Sequence, residues 1–303
     1  DDPGLRAWTM RELAGLTGEP HLFDRAAASA RLILDPVRRA AALREIASAA
    51  NKPALYSEAL AALESASGAA LAYALSDLAA ASGDASLVEQ IAPEYPDARA
   101  SALLCLGEYS AAWEAAALIG DAYERAQAQA DIAGAWQNAE FANQIDVLLY
   151  RDLALKDVIQ KTGNAALVDS ISIPYYKVQA LVATGDLKAA QEWAGDLGDT
   201  YPLVALAVAL AKTDPQAALA VVDQMDREAD KAAALQAIAV ASQELQHIEQ
   251  AQGMALASRV RGDALAPTRA SFELAIAIWD SNPQVAQSAL QQAYEAVQRI
   301  AIK

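Results

Sequence analysis

Apolar residues along the chain recur one, four, seven and eight positions after a basic residue that is itself followed by alanine. Arg39-Ala40, Leu43, Ile46 and Ala47 show the pattern in full, and Lys231-Ala232, Leu235, Ile238 and Ala239 repeat it. Arg125-Ala126 closes on Ile132-Ala133, Arg99-Ala100 on Leu106, Arg6-Ala7 on Leu13-Ala14, and Arg269-Ala270 on Ile276-Ala277. Weaker copies centre on Leu71, Arg151, Lys177 and Pro202–Leu203. This spacing follows the turn of an α-helix, so each copy predicts one helix with a single apolar face. The basic residue, or the residue in its place in a weaker copy such as Leu71, is the anchor of that copy.

Punctuation recurs with the helices. Gly18-Glu19, Gly83-Asp84, Gly107-Glu108, Gly163-Asn164 and Gly185-Asp186 each follow an anchored helix. Glycine there closes a helix in the left-handed conformation, and the polar residue after it can cap the next one. A second, shorter helix is predicted in Ala26–Leu34, Leu87–Ala92, Ala112–Ile119, Ala189–Leu197 and Ala217–Met225. Breakers such as Asp35-Pro36 and Tyr95-Pro96 then open the next copy.

The unit is a helical hairpin. Anchors at 39, 71, 99, 125, 151 and 177 lie 32, 28, 26, 26 and 26 residues apart, room for two helices of about ten residues and about 15 Å each. Neither helix can hide its apolar face alone, so the hairpins must stack. The expected fold is all-α, a single α-solenoid domain of about nine hairpins over residues 1–303.

The turn-and-helix stretches Gly185-Asp186-Leu187-Lys188-Ala189-Ala190-Gln191-Glu192-Trp193-Ala194 and Gly107-Glu108-Tyr109-Ser110-Ala111-Ala112-Trp113-Glu114-Ala115-Ala116 resemble tetratricopeptide repeats. The resemblance is loose, because the middle units are shorter than that family's repeat. It implies helix pairs locked by glycine, an aromatic and small alanines, and an array that binds peptides or proteins rather than an enzyme.

Asp2-Pro3-Gly4-Leu5-Arg6-Ala7 repeats the opening of Asp35-Pro36-Val37-Arg38-Arg39-Ala40. The chain is therefore expected to begin mid-repeat, on the second helix of a hairpin, with residues 283–303 as a terminal capping helix. Complementary ends would allow head-to-tail assembly into filaments or rings. The start at Asp1-Asp2-Pro3 is compatible with a removed signal peptide, which slightly favours an extracytoplasmic location over a cytoplasmic one.

Composition adds limits. The 303 residues are 54% hydrophobic but only 6% aromatic, with a formal charge of −16. Alanine supplies much of the apolar share, which suits helix and gives a thin core. The charge repels phosphate backbones, so nucleic acid is not expected as a partner, whereas a basic partner is electrostatically easier. The longest uncharged apolar run, Pro202–Ala211, is far short of a membrane span. Cys105, the only cysteine, sits in SALLCLG and is expected to be buried.

Candidate chemistry is sparse. The anchors form a basic ladder with acids shortly before many of them: Asp2, Asp35, Asp97, Asp121, Asp146 and Asp226. The expected role of the cations is structural, pairing with a carboxylate or capping carbonyls of the adjacent hairpin. Tyr95, Tyr123, Tyr150, Tyr176 and Tyr201 recur at intervals of 28, 27, 26 and 25, and Trp113, Trp136 and Trp193 fall in the same region. Most such rings wedge between helices. If they line a groove instead, these eight residues are the candidate protein-binding set within residues 95–205.

Neither a phosphate-binding glycine loop nor a His-Glu-x-x-His motif occurs. His21 and His247 lack metal-ligand companions in sequence, and Asp223 with Asp226 falls at a helix end. No catalytic residue, cofactor or metal is expected. The functional reading is a non-enzymatic protein- or peptide-binding scaffold. A self-assembling structural protein comes second and a carboxylate-based carbohydrate-active enzyme third.

Overall fold

The computed structural model describes residues 2–195, 197, 201–211 and 213–225, with isolated positions between 231 and 291. Every element among them is helical. The fold is all-α and belongs to the helical-repeat, α-solenoid class expected of it. Two compact units divide the chain, residues 1–154 and 155–303.

The first unit alternates anchored and short helices. Its anchored helices are α1 (Pro3–Thr17), α3 (Pro36–Ala50), α5 (Gly68–Ser82), α7 (Pro96–Cys105) and α9 (Ala122–Trp136). Between them run α2 (Pro20–Ala30), α4 (Ala54–Ala62), α6 (Ser86–Glu89) and α8 (Tyr109–Ala116), and α10 (Ala139–Ala142) follows. A further helix, α11 (Leu148–Thr162), crosses the boundary. The second unit continues with a 3₁₀ helix (Ala165–Ser170), α12 (Pro174–Thr184), α13 (Leu187–Ala194), α14 (Tyr201–Ala211) and α15 (Pro215–Asp223).

Burial follows the sequence register. Ala40, Leu43, Ile46 and Ala47 are all buried, and so are Ala72, Leu75, Leu78 and Ala79 in the weaker copy at Leu71. In α11 the same four places hold Asp152, Leu155, Val158 and Ile159, again all buried. Asp152 thus stands where most copies have alanine, and its Oδ1 lies 3.4 Å from Arg151 Nε. Leu235 and Ile238 carry the pattern to the Lys231 copy.

Helix lengths have local causes. The copies at Arg99 and Lys177 meet glycine eight residues on, at Gly107 and Gly185, where others have an apolar residue. Accordingly α7 and α12 stop at 10 and 11 residues, while α3, α5 and α9 run to 15. Gly185 takes φ 82°, a left-handed value that glycine adopts without strain because it has no Cβ. Asn51 and Gln137 hold the same place in α3 and α9 at φ 51° and 60°. Asp2, Asp35 and Asp121 cap their own helices, Asp121 accepting from the N–H groups of Tyr123 and Glu124 at 2.9 Å each.

Two expectations need correcting. First, the short helices begin earlier than predicted and end about three residues sooner, at Ala30, Glu89, Ala116, Ala194 and Asp223. A tight turn follows, and one of its residues plugs the core. Ile33, Ile119, Ile145, Ile171 and Met225 each lie six residues before an anchor and are buried. Each donates its N–H to the carbonyl three residues back.

Second, Cys105 is exposed, not buried. Its leucine neighbours suggested a core, but it lies six residues after Arg99, on the outward line occupied by Glu45 and Asp77 in α3 and α5.

The phase of the hairpin also emerges. α1 packs more extensively on α2 than α2 does on α3, and α7 on α8 more than α8 on α9. These anchored helices thus pack more closely on the short helix that follows them than that helix does on the next anchored one. The helix expected over 283–300 lies outside the described residues apart from scattered positions, as does Arg269.

Candidate functional site

The anchored helices of the first unit are successive neighbours: α1 touches α3, α3 touches α5, α5 touches α7 and α7 touches α9. Their outward sides form one face, set by the residues two and six places after each anchor. Small side chains leave shallow grooves between the helices. A cavity of about 240 Å³ lies between α1 and α3, lined by Gly4, Trp8, Arg11, Arg38, Ala42 and Glu45. A second, of about 190 Å³, lies between α3 and α5 against Val37, Ala41, Arg44, Ala70, Tyr73 and Asp77. Trp8 is 54% exposed and Tyr73 50%, so two large rings stand open to water beside alanine-lined grooves.

Charges stitch this face across helices. Arg11 of α1 pairs with Glu45 of α3, and Arg44 of α3 pairs with Asp77 of α5. In register terms the fifth residue after one anchor meets the sixth after the next. The ladder stops at α5, where Ser76 takes the cation's place, and at α7, where Cys105 takes the acid's. Beyond it, the Tyr73 hydroxyl donates to the Asp97 carboxylate at the start of α7. That bond raises the Tyr73 phenol above its ordinary pKa, helped by desolvation and by the charges of Asp97 and Glu124.

The basic anchors do structural work at the helix starts. Arg39 Nη1 lies 3.4 Å from the Ile33 carbonyl, and Arg125 Nη1 donates to the Ile119 carbonyl at 2.9 Å. Carbonyl capping, one of the two roles expected of the ladder, thus operates in α3 and α9. Lys177 is buried, with Nζ 4.5 Å above the Trp193 ring centre and 3.4 Å from Asp169 Oδ1.

The eight predicted aromatics scatter. Tyr95 is half-buried against the core shared by α1 to α7. Trp113 and Trp136 come together through Phe141, at ring distances of 4.9 and 4.5 Å, and Tyr109 stacks on Trp136 at 5.9 Å. All four rings are half-buried where α8, α9 and α10 meet, so they pack the junction of two hairpins. Tyr150 is half-buried in α11. Tyr176 meets Tyr175 edge-on at 5.1 Å, and Trp193 carries Lys177. The Tyr201 side chain lies outside the described residues. Only Tyr123, at 65%, and Trp193, at 40%, are exposed.

Sequence reasoning passed over Trp8 and Tyr73. The signal was present: both lie two residues after an anchor position, 6 and 71, the place that faces outward from the stack. Phe141 and Tyr109 were missed as the partners of the two tryptophans.

No family model, curated protein or solved structure matches this chain. Among the described residues no helix is long and apolar enough to cross a membrane, and no three His, Cys, Asp or Glu side chains converge as a metal site. His21 is exposed beside Glu19, with Nε2 3.6 Å from its carboxylate; His247 and Asp226 lie outside the described residues.

Proposed function

We propose that this chain is a non-enzymatic interaction scaffold with tetratricopeptide-like hairpins, binding a protein or peptide segment on the face of its anchored helices. The observation that carries the reading is the pair of adjacent alanine-lined grooves flanked by the exposed rings of Trp8 and Tyr73. Exposed aromatic rings beside small-residue grooves supply large contact area at low conformational cost, as binding surfaces require. Peptides selected from a displayed random library on the full chain test it. Binders are expected to lose most of their affinity for the Trp8→Ala/Tyr73→Ala variant. Failure to select any binder, or equal affinity for the variant, overturns the reading.

A second reading, head-to-tail self-association, draws on α1, where Leu5, Leu13 and Leu16 are 61%, 45% and 83% exposed. Light scattering over a dilution series decides it. A mass that stays at one chain ends that idea.

A further inference from the structure

Charge is segregated along the first unit. Residues 53–124 contain eleven acids and one cation, Arg99. That segment's net −10 is most of the chain's −16. Arg99 does not offset it on the face of the anchored helices, because it lines a separate cavity with Glu89, Pro93, Ala111 and Glu114 of the α6 and α8 region. On that face Arg44 is shared between Asp77 and Glu45. Past it stand Asp97, held by Tyr73, and Glu124 in the exposed first turn of α9, whose charge helps raise the same phenol. Tyr123 completes the group. It lies two residues before its anchor, the place Asp97 holds in α7, so it continues the same line onto α9 at 65% exposure.

We propose that the face made by α5, α7 and the first turn of α9 docks a basic, extended segment of a partner protein, with its cations meeting Asp97 and Glu124 and lying on the rings of Tyr73 and Tyr123. The occupant follows from charge complementarity. An acidic segment is repelled by an uncompensated field here, whereas lysine and arginine gain both the carboxylates and the negative faces of two tyrosines. Ala70 and Ala74 line the groove on the α3 side of Tyr73, so a main chain can approach α5 beside that ring. The α1–α3 part of the face, where cations and acids alternate, adds no such preference. This inference rests on the scaffold reading and specifies the partner that the reading leaves open.

The test is fluorescence anisotropy of the full chain with a labelled peptide of alternating arginine and glycine, against its glutamate–glycine counterpart, at physiological salt. The arginine peptide is expected to bind and the glutamate peptide not. Asp97→Asn/Glu124→Gln should weaken binding about tenfold or more, and Tyr123→Ala several-fold. Glu108→Gln/Glu140→Gln removes the same charge from exposed sites elsewhere and should change it less than about twofold. Far-UV circular dichroism confirms that each variant is folded.

Equal losses in the two charge-neutralised pairs overturn the proposal, since they mean net charge alone attracts the peptide. So does absence of arginine-peptide binding. Library-selected peptides that depend on Trp8 but carry no basic residue would leave the scaffold reading standing while removing this one.

Discussion

Arg125 of α9 donates from Nη1 to the carbonyl of Ile119, six residues upstream at the end of the preceding hairpin, and Arg39 approaches Ile33 in the same way. The isoleucine side chain plugs the core while its carbonyl turns to the next anchored helix. One residue thereby terminates a short helix, fills a gap and receives the next repeat. Replacing Arg125 with methionine keeps the apolar stem and removes the donor. It is expected to cost about 1–3 kcal/mol, the worth of a hydrogen bond from a charged group, read from urea denaturation.

The alanines that let helices approach should resist enlargement. Ala133 of α9 is 0% exposed and holds the eighth position of its copy. Ala133→Leu should destabilise the first unit by about 1–3 kcal/mol through overpacking. Deleting a large side chain should cost more: Ile132→Ala, about 2–5 kcal/mol. Chemical denaturation ranks the two.

Helix starts depend on their caps. Asp121 accepts two backbone bonds, and Asp121→Ala is expected to cost about 1 kcal/mol. Asp121→Asn, which keeps an acceptor oxygen, should recover most of that loss in the same melt.

Across α2 and α4, Arg31 makes a two-point contact with Glu58, at 2.7 and 3.0 Å. That hydrogen bond holds the Glu58 carboxyl below its ordinary pKa. A depressed folded-state value means that its stabilisation is present above the unfolded value and disappears as pH falls through the folded one. Both side chains are more than one-third exposed, so screening keeps the effect below about 1 kcal/mol. The stability gap between the native chain and Glu58→Gln should close on acidification.

Tyr73 should ionise later than an ordinary tyrosine, because Asp97 binds its proton. Absorbance titration with Tyr73→Phe subtracted isolates it. Asp97→Ala is expected to shift its transition to lower pH, and an unchanged curve would show that the bond is not made in solution.

The helices, their register and their turns were legible in the sequence. Period and punctuation are local properties, and the four buried places after Arg39 or Leu71 can be read without a partner in view. The plug at Ile33 and Ile119 was legible too, as a fixed distance from the anchor, yet a single position without periodicity of its own does not announce a helix end. The regular tyrosines misled for a related reason. Their intervals drift against the repeat, so Tyr95 stands four residues before its anchor and Tyr123 two, and whether a ring is covered depends on that place and on what the neighbouring hairpin presents.

Sequence by itself determined that this chain forms short amphipathic helices in pairs and must stack them, since alanine faces of that size cannot exclude water alone. Tertiary structure decided which rings remain in water and which charges are left uncompensated. Trp8 and Tyr73 are open while Trp113 and Trp136 cover each other through Phe141, because exposure and pairing belong to contacts between helices, such as the one between Trp113 and Phe141, 28 residues apart.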